Sequence, residues 1–354
     1  MKNYVIPIVI VIVIIAVLAF FLVNNFFKPA VTTTPTSVIT NQSSSVIASI
    51  DVGNILSGIA ITPNGQYAYV AAANSTQISV INISDNKVIK NIETKSFPSE
   101  IAITPNGQYA YVTELDKQVA VINVTDNQII ANIPSVGGGQ SLDGIAITPN
   151  GQYVYVSDSV LKPSSTYLEG DVSVINTQTN RVVTNISVPN GPTSIVMAPN
   201  GEYAYIINFN NNEVSVLNLG TNTIINSTAL GGNESLEGLA ITPNGQYLYA
   251  TSSDNKVYVI NATSDKLVNT ILMNEAPYKI AITPNGQYAY VSDINSNFVS
   301  IINTALNTIV DNVSLALPSN STIKTIIPIG IAITPNNKDV YVSSYIGRVF
   351  VISS

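Results

Sequence analysis

One twelve-residue phrase, I-A-I-T-P-N-G-Q-Y-A-Y-V, starts at Ile59 and again at Ile101. Close variants start at Ile145, Ile195, Leu239, Ile280 and Ile331. The proline of each copy falls at Pro63, Pro105, Pro149, Pro199, Pro243, Pro284 and Pro335, at spacings of 42, 44, 50, 44, 41 and 51 residues. A unit of this size cannot bury its own apolar face, so copies must stack. The period is that of a four-stranded propeller blade.

Each copy reads as four strands, A to D. Strand A is the apolar run IAIT. Pro-Asn-Gly then makes a tight turn, because proline presets φ and Asn-Gly accepts positive φ. Strand B is QYAYV, strand C resembles ISVIN (Ile78 to Asn82), and strand D resembles KVIKNI (Lys87 to Ile92). Alternation and β-branched content support strands throughout. The array begins with a spare D-like strand, Val46 to Val52, and ends on a C-like strand, Arg348 to Ser354. Pairing these two ends would complete a ring of seven blades and leave no open edge. The expected fold is all-β: a seven-bladed propeller over 46–354, closed by its N-terminal outer strand. Two segments run long, Ser157 to Asp171 in the third repeat and Ser314 to Gly330 before the seventh. Both read as loops on one face of the disc.

The phrase, repeated with …V-S-V-I-N… about every 42 residues, resembles the YVTN-type β-propeller repeat of surface-layer and other cell-surface proteins. The resemblance covers Val46 to Ser354. It implies an extracellular propeller and supplies no catalytic set to transfer. Lactonase-like enzymes and the propeller of nitrous oxide reductase share such repeats, but they depend on metal or acid–base groups, often histidine, and this chain has no His and no Cys.

Ahead of the array, Val5 to Val23 is an unbroken apolar run of 19 residues. As a helix it would span about 28 Å, close to a bilayer's hydrocarbon thickness. It ends in FFLVNNFFK without an A-x-A-like cleavage site, which favours a retained anchor over a signal peptide. Residues 1–28 are thus expected to form a transmembrane anchor. Residues 29–45, rich in Ser, Thr and Pro, read as a stalk. The expected location is the cell membrane, with the propeller outside. The chain carries 14 basic and 21 acidic residues; an acidic head repels phosphate backbones, so no nucleic acid is expected as a partner.

Thirteen of the 18 tyrosines occupy two slots in strand B. Recurrence in every blade points to packing between sheets rather than to a ligand platform. Glu100, Asp143 and Glu237 stand just before strand A, where a propeller's channel opens, and Lys279 stands at an equivalent position. Asp116, Asp158, Asp254 and Asp293 follow strand B and read as solvated loop charges on that face. A Ca²⁺ ion, which takes roughly six to eight oxygens, would use the Glu100, Asp143 and Glu237 group; the reading otherwise assigns no metal and no cofactor. N-x-S/T sequons occur at Asn41, Asn74, Asn82, Asn123, Asn185, Asn226, Asn233, Asn261, Asn312 and Asn320, mostly on the rim or in loops.

No G-x-S-x-G, H-E-x-x-H or P-loop is present. The functional expectation is therefore a non-enzymatic cell-surface propeller presenting loops to surface proteins or glycans. The alternative is an extracellular ligand-binding or sensory module at the channel mouth. A metal-dependent hydrolase or lactonase stands third.

Overall fold

In the computed structural model, the residues described are 44–134, 141–161, 168–231, 235–316 and 325–354. They form seven four-stranded antiparallel sheets. Blade 1 comprises strand A (Leu56–Ile61), B (Tyr67–Ala72), C (Gln77–Asn82) and D (Lys87–Glu93). Blades 2 to 6 repeat this order, with their A strands at Pro98–Ile103, Ser141–Ile147, Pro192–Met197, Leu236–Ile241 and Pro277–Ile282. Blade 7 takes strands A to C from Pro328–Ile333, Asp339–Ser344 and Arg348–Ser353, and its outer strand from Val46–Asp51. That strand pairs Ser49 with Phe350 and Asp51 with Arg348. Arg348 fastens the seam through Ser49 Oγ at 2.8 Å and Asp51 at 3.3 Å. The ring closes as its ends imply, because an unpaired strand C edge would otherwise be exposed.

The anchor expected at Val5 to Val23, most of the 29–45 stalk, and Asn41, Asn233 and Asn320 lie outside the described residues. Among the described residues no helix is long and apolar enough to cross a membrane. The third repeat's long segment is not simply a loop. Strands B and C of blade 3 extend to nine residues each, pairing as far as Leu161 with Leu168.

The apolar core is divided among the spaces between blades. Between blades 1 and 2, for example, Tyr69, Ile78 and Val80 pack on Ile101, Ala110 and Val112. The second tyrosine of strand B is fully buried in that space, and its hydroxyl crosses to the next blade. Tyr69 donates to Asn127, Tyr111 to Asn180 at 2.7 Å, Tyr155 to Asn222 at 2.9 Å, and Tyr341 to Asn86 across the seam at 2.6 Å. Each acceptor lies in a C–D turn with φ between 51° and 55°. Asparagine suits both tasks, because it tolerates the left-handed region and offers an amide oxygen. The Thr-Pro-Asn-Gly turn is equally regular. Thr62 Oγ1 donates to Asn64 Oδ1 and accepts from the Tyr67 amide, while Gly65 takes φ of 69°.

The sixth position of strand B departs from expectation. Asp158 and Asp293 are not solvated loop charges: they lie within strand B and are almost wholly buried, as is Glu114 at the same position of blade 2. Asp116 and Asp254 do lie in loops, paired with Gln118 and Lys256. Asp293 accepts from Ser300 Oγ at 2.6 Å, and Ser300 also bonds Asn312, making a polar line across the blade. Burial pushes the Asp293 carboxyl up to about 7, Glu275 adding and Ser300 opposing. Burial likewise pushes Glu114 up to about 7, Asp116 adding and the backbone amides of Lys95 and Ser96 opposing.

Two outcomes follow from this packing. Tyr111→Phe should cost about 1 kcal/mol, the net worth of one such bond. A double-mutant cycle with Asn180→Ala, read by denaturant unfolding, should show coupling between the two. Second, the folded chain holds the Glu114 and Asp293 protons more tightly than the unfolded chain. That contribution is complete below the ordinary carboxylate range and is lost as pH rises to about 7. The melting temperature should therefore fall by several degrees between acid and neutral pH, and Glu114→Gln with Asp293→Asn should flatten the fall.

Candidate functional site at the channel mouth

The first residues of the seven A strands form one end of the central channel. Two consecutive positions matter there. The residue directly before the first isoleucine (or leucine) of the motif is Gly58, Glu100, Gly144, Ser194, Gly238, Lys279 and Gly330 in blades 1 to 7. The residue before that includes Asp143, Glu237 and Tyr278.

The glycines are a steric requirement. A Cβ at Gly58 would lie 2.5 Å from the Ser99 carbonyl oxygen. At Gly144 it would lie 2.3 Å from Thr193 O, at Gly238 2.4 Å from Tyr278 O, and at Gly330 2.6 Å from Ser57 O. In each case the obstacle is the backbone of the following blade. Strand B hydroxyls hold several of these close approaches: Ser157 Oγ donates to Thr193 O at 2.6 Å, Thr251 Oγ1 to Tyr278 O at 2.5 Å and Ser343 Oγ to Ser57 O at 2.5 Å. Blades 2, 4 and 6 are therefore the ones that carry a side chain at this level, and those side chains are Glu100, Ser194 and Lys279.

Glu100 and Lys279 meet across the lumen, Oε1 to Nζ at 2.7 Å, each side chain about a quarter exposed. The pair lines a cavity of about 150 Å³ together with Ser194 and the aliphatic side chains of Ile59, Ile145, Ile195, Leu239, Ile280 and Ile331. Asp143, Glu237 and Tyr278 stand around the bridge. Ser159 donates to Asp143, and Ser235 Oγ to Glu237 Oε1 at 2.7 Å. Burial raises the Glu237 carboxyl to about 7, with the Ser235 hydrogen bond and Lys279 pulling it down. Burial pushes the Tyr278 phenol up to about 12; Lys279 opposes the shift, while Glu237, Glu100 and Asp143 add to it. Burial opposes the Lys279 ammonium, but Glu100, Tyr278 and Glu237 outweigh it and hold the charge firmly.

The three carboxylates marked in the sequence thus gather at one mouth, but in different roles. Glu100 is an ion-pair partner, while Asp143 and Glu237 are hydroxyl-bonded flanks. Among the described residues, no group of three or more His, Cys, Asp or Glu side chains is placed to hold a metal ion. Sequence reasoning overlooked Tyr278 and the Glu100–Lys279 bridge. Tyr278 falls outside the repeated tyrosine slots, which was its one visible mark. Of the sequons, Asn82, Asn123 and Asn261 close strand C and bond the following turn, Asn185, Asn226 and Asn312 lie exposed on strand D, and Asn74 caps the Ile55 amide.

No curated protein matches the chain. A solved structure titled Kuenenia stuttgartiensis hydrazine synthase superposes with a TM-score of 0.74 over 91% of this chain and 99% of that one. At 19% identity this likeness is one of fold. The model of the cytochrome D1 heme domain family matches residues 65–314. This match overturns three expectations: a non-enzymatic surface-layer-like protein, a chain outside enzymology, and a propeller with no cofactor in its background. It points instead to heme-related redox propellers. The repeat phrase had suggested the YVTN type because alternating strands and Pro-Asn-Gly turns are common to propellers and do not record a family's chemistry. On the extent of that match, well over half its length, the chain belongs to the cytochrome D1 heme domain family.

Proposed function

We propose that this chain serves heme-related redox chemistry and that its working face is the channel mouth. The observation that carries the reading is the convergence of Glu100, Lys279, Tyr278, Glu237 and Asp143 on one opening of a propeller from a heme-domain family.

Heme iron takes axial ligands from His, Cys, Met or Tyr. The chain has no His and no Cys. Met273 is buried in the wall between blades 5 and 6, and Met197 ends strand A of blade 4, away from the mouth. Tyr278 stands at the mouth, but burial pushes its phenol up to about 12, so a metal would have to displace a firmly held proton. The cavity is also small beside ligand pockets of roughly 300–1,000 Å³. The residues do not fit a heme seated in this channel and ligated by the chain's own side chains. Their chemistry is that of recognition: carboxylates, an ammonium and a phenol that hydrogen-bond a polar or charged group on a substrate or heme-bearing partner. The Val5 to Val23 segment supports a further part of the proposal, attachment to the membrane with the propeller outside the cell.

Redox difference spectra of complexes isolated from native membranes test the reading. The expected result is a heme signal that accompanies the wild-type chain and drops severalfold with Glu100→Gln plus Lys279→Ala. A heme signal from the isolated chain that Tyr278→Phe abolishes would replace it with direct ligation. Complexes without any heme would overturn it.

A further inference from the structure

We infer that the cleft between blades 2 and 3, on the face opposite the channel mouth, is a binding site for an uncharged hexopyranose. The inference stands apart from the mouth and from heme.

The cleft encloses about 290 Å³. Its walls come from the Thr-Pro-Asn-Gly turns of both blades, from strands B and D of blade 2, and from the C–D turn of blade 3. Strand D of blade 2 bulges at Ile130, where its register with strand C slips, and the isoleucine is left exposed at the rim. Tyr109, the first tyrosine of strand B, packs against the core between the two blades. It is only half-buried, however, whereas Tyr111 is fully buried. The two tyrosine slots therefore differ: the second serves packing, and the first also presents an aromatic surface to the cleft.

The polar part of the lining is fixed before any guest arrives. Tyr111 donates to Asn180 Oδ1 at 2.7 Å, which holds the C–D turn of blade 3 against blade 2 and leaves the Asn180 amide nitrogen as a donor. Thr177 Oγ1 donates to the Gly151 carbonyl at 2.7 Å. Asn106 Oδ1 accepts from Thr104 Oγ1 at 2.7 Å and from the Gln108 amide at 3.0 Å. Among the described residues, no protein group bonds the Tyr109 hydroxyl or the Gln178 side-chain amide, so both are available to a ligand.

One turn sets this cleft apart from its counterparts around the ring. The C–D turns of blades 1, 2 and 5 carry Asp85, Asp126 and Asp265, and those of blades 4 and 6 carry Leu219 and Leu306. Blade 3 has Thr177, Gln178 and Thr179 there, all polar and all uncharged.

Charge and shape decide the guest. No Lys, Arg, Asp or Glu among the described residues lines the cleft, so neither an anion nor a cation meets a counter-charge. The lining joins an aromatic ring and an aliphatic side chain to the amides of Asn106, Gln178 and Asn180. A pyranose has the same division: a C–H face that lies on an aromatic ring, and an edge of hydroxyls that donate and accept. A side-chain amide answers such an edge in both senses, because its nitrogen donates and its oxygen accepts. An alkyl chain would leave those amides without partners. The volume holds about ten waters at about 30 Å³ each, the scale of one hexose rather than of a longer glycan.

Saturation-transfer NMR of the full chain with methyl α-glucoside, methyl α-galactoside and methyl α-mannoside tests this, with gluconate and cyclohexanol as controls. At least one of the methyl hexosides should saturate, with its ring C–H protons receiving the strongest transfer. Each control should bind about tenfold more weakly or worse. Gln178→Ala lies on an exposed turn, so it should melt like wild type while weakening binding about fivefold, the worth of one neutral hydrogen bond. Tyr109→Phe keeps the ring and should weaken binding by a similar factor, and Tyr109→Ala should abolish saturation. The inference is overturned if none of the methyl hexosides saturates on the folded wild type, or if gluconate or cyclohexanol binds as tightly. It is equally overturned if Gln178→Ala and Tyr109→Phe chains that melt like wild type bind unchanged.

Discussion

The structure depends on seven sheets pressing face to face around a narrow axis. At the inner edge this contact is backbone on backbone. Gly58, Gly144, Gly238 and Gly330 exist because no Cβ fits between strand A and its successor. At mid-radius the contact is tyrosine on aliphatic side chains, with the phenol hydroxyl bonded to the next blade's C–D turn. Near the seam it is a borrowed strand, Val46–Asp51, held by Arg348. Remove any of these and the neighbouring blade loses a wall, since each blade buries its apolar faces only against its neighbours.

The same constraint creates the mouth. Blades 1, 3, 5 and 7 carry glycine at the innermost level, so the side chains of blades 2, 4 and 6 project into a cleared lumen. Here an ion bridge and aliphatic side chains line one cavity, with two more carboxylates and a phenol alongside. The mixture of a raised carboxyl, a firmly charged lysine and a neutral phenol marks the place where burial and charge act together.

Buried acids elsewhere carry a different message. Glu114 and Asp293 sit inside strand B; Asp293 accepts from the Ser300 hydroxyl, and among the described residues no cation bridges either carboxyl. Such groups favour the protonated form, so the propeller is built to be most stable where acids are neutral. Their burial was not legible from the chain. They follow the second tyrosine of strand B by three residues, which reads equally well as the end of the strand or the start of a loop.

The sequence alone determined the architecture, because the period, the Pro-Asn-Gly turns and the unmatched terminal strands are local patterns with one closed solution. It also marked the Glu100, Asp143 and Glu237 positions as lying at one end of the channel, although the structure places them inside strand A (Pro98–Ile103, Ser141–Ile147, Leu236–Ile241) rather than before it. It did not reveal that Glu100 would meet Lys279, 179 positions along the chain. That meeting depends on ring curvature and on which blades face each other across seven, and neither is written in any one repeat. The family was hidden for the same reason: strand alternation is dictated by packing and is shared by many propellers, whereas chemistry lives in the few side chains the ring brings together. Only the closed tertiary structure decided which acids are buried, which are paired, and which face the lumen.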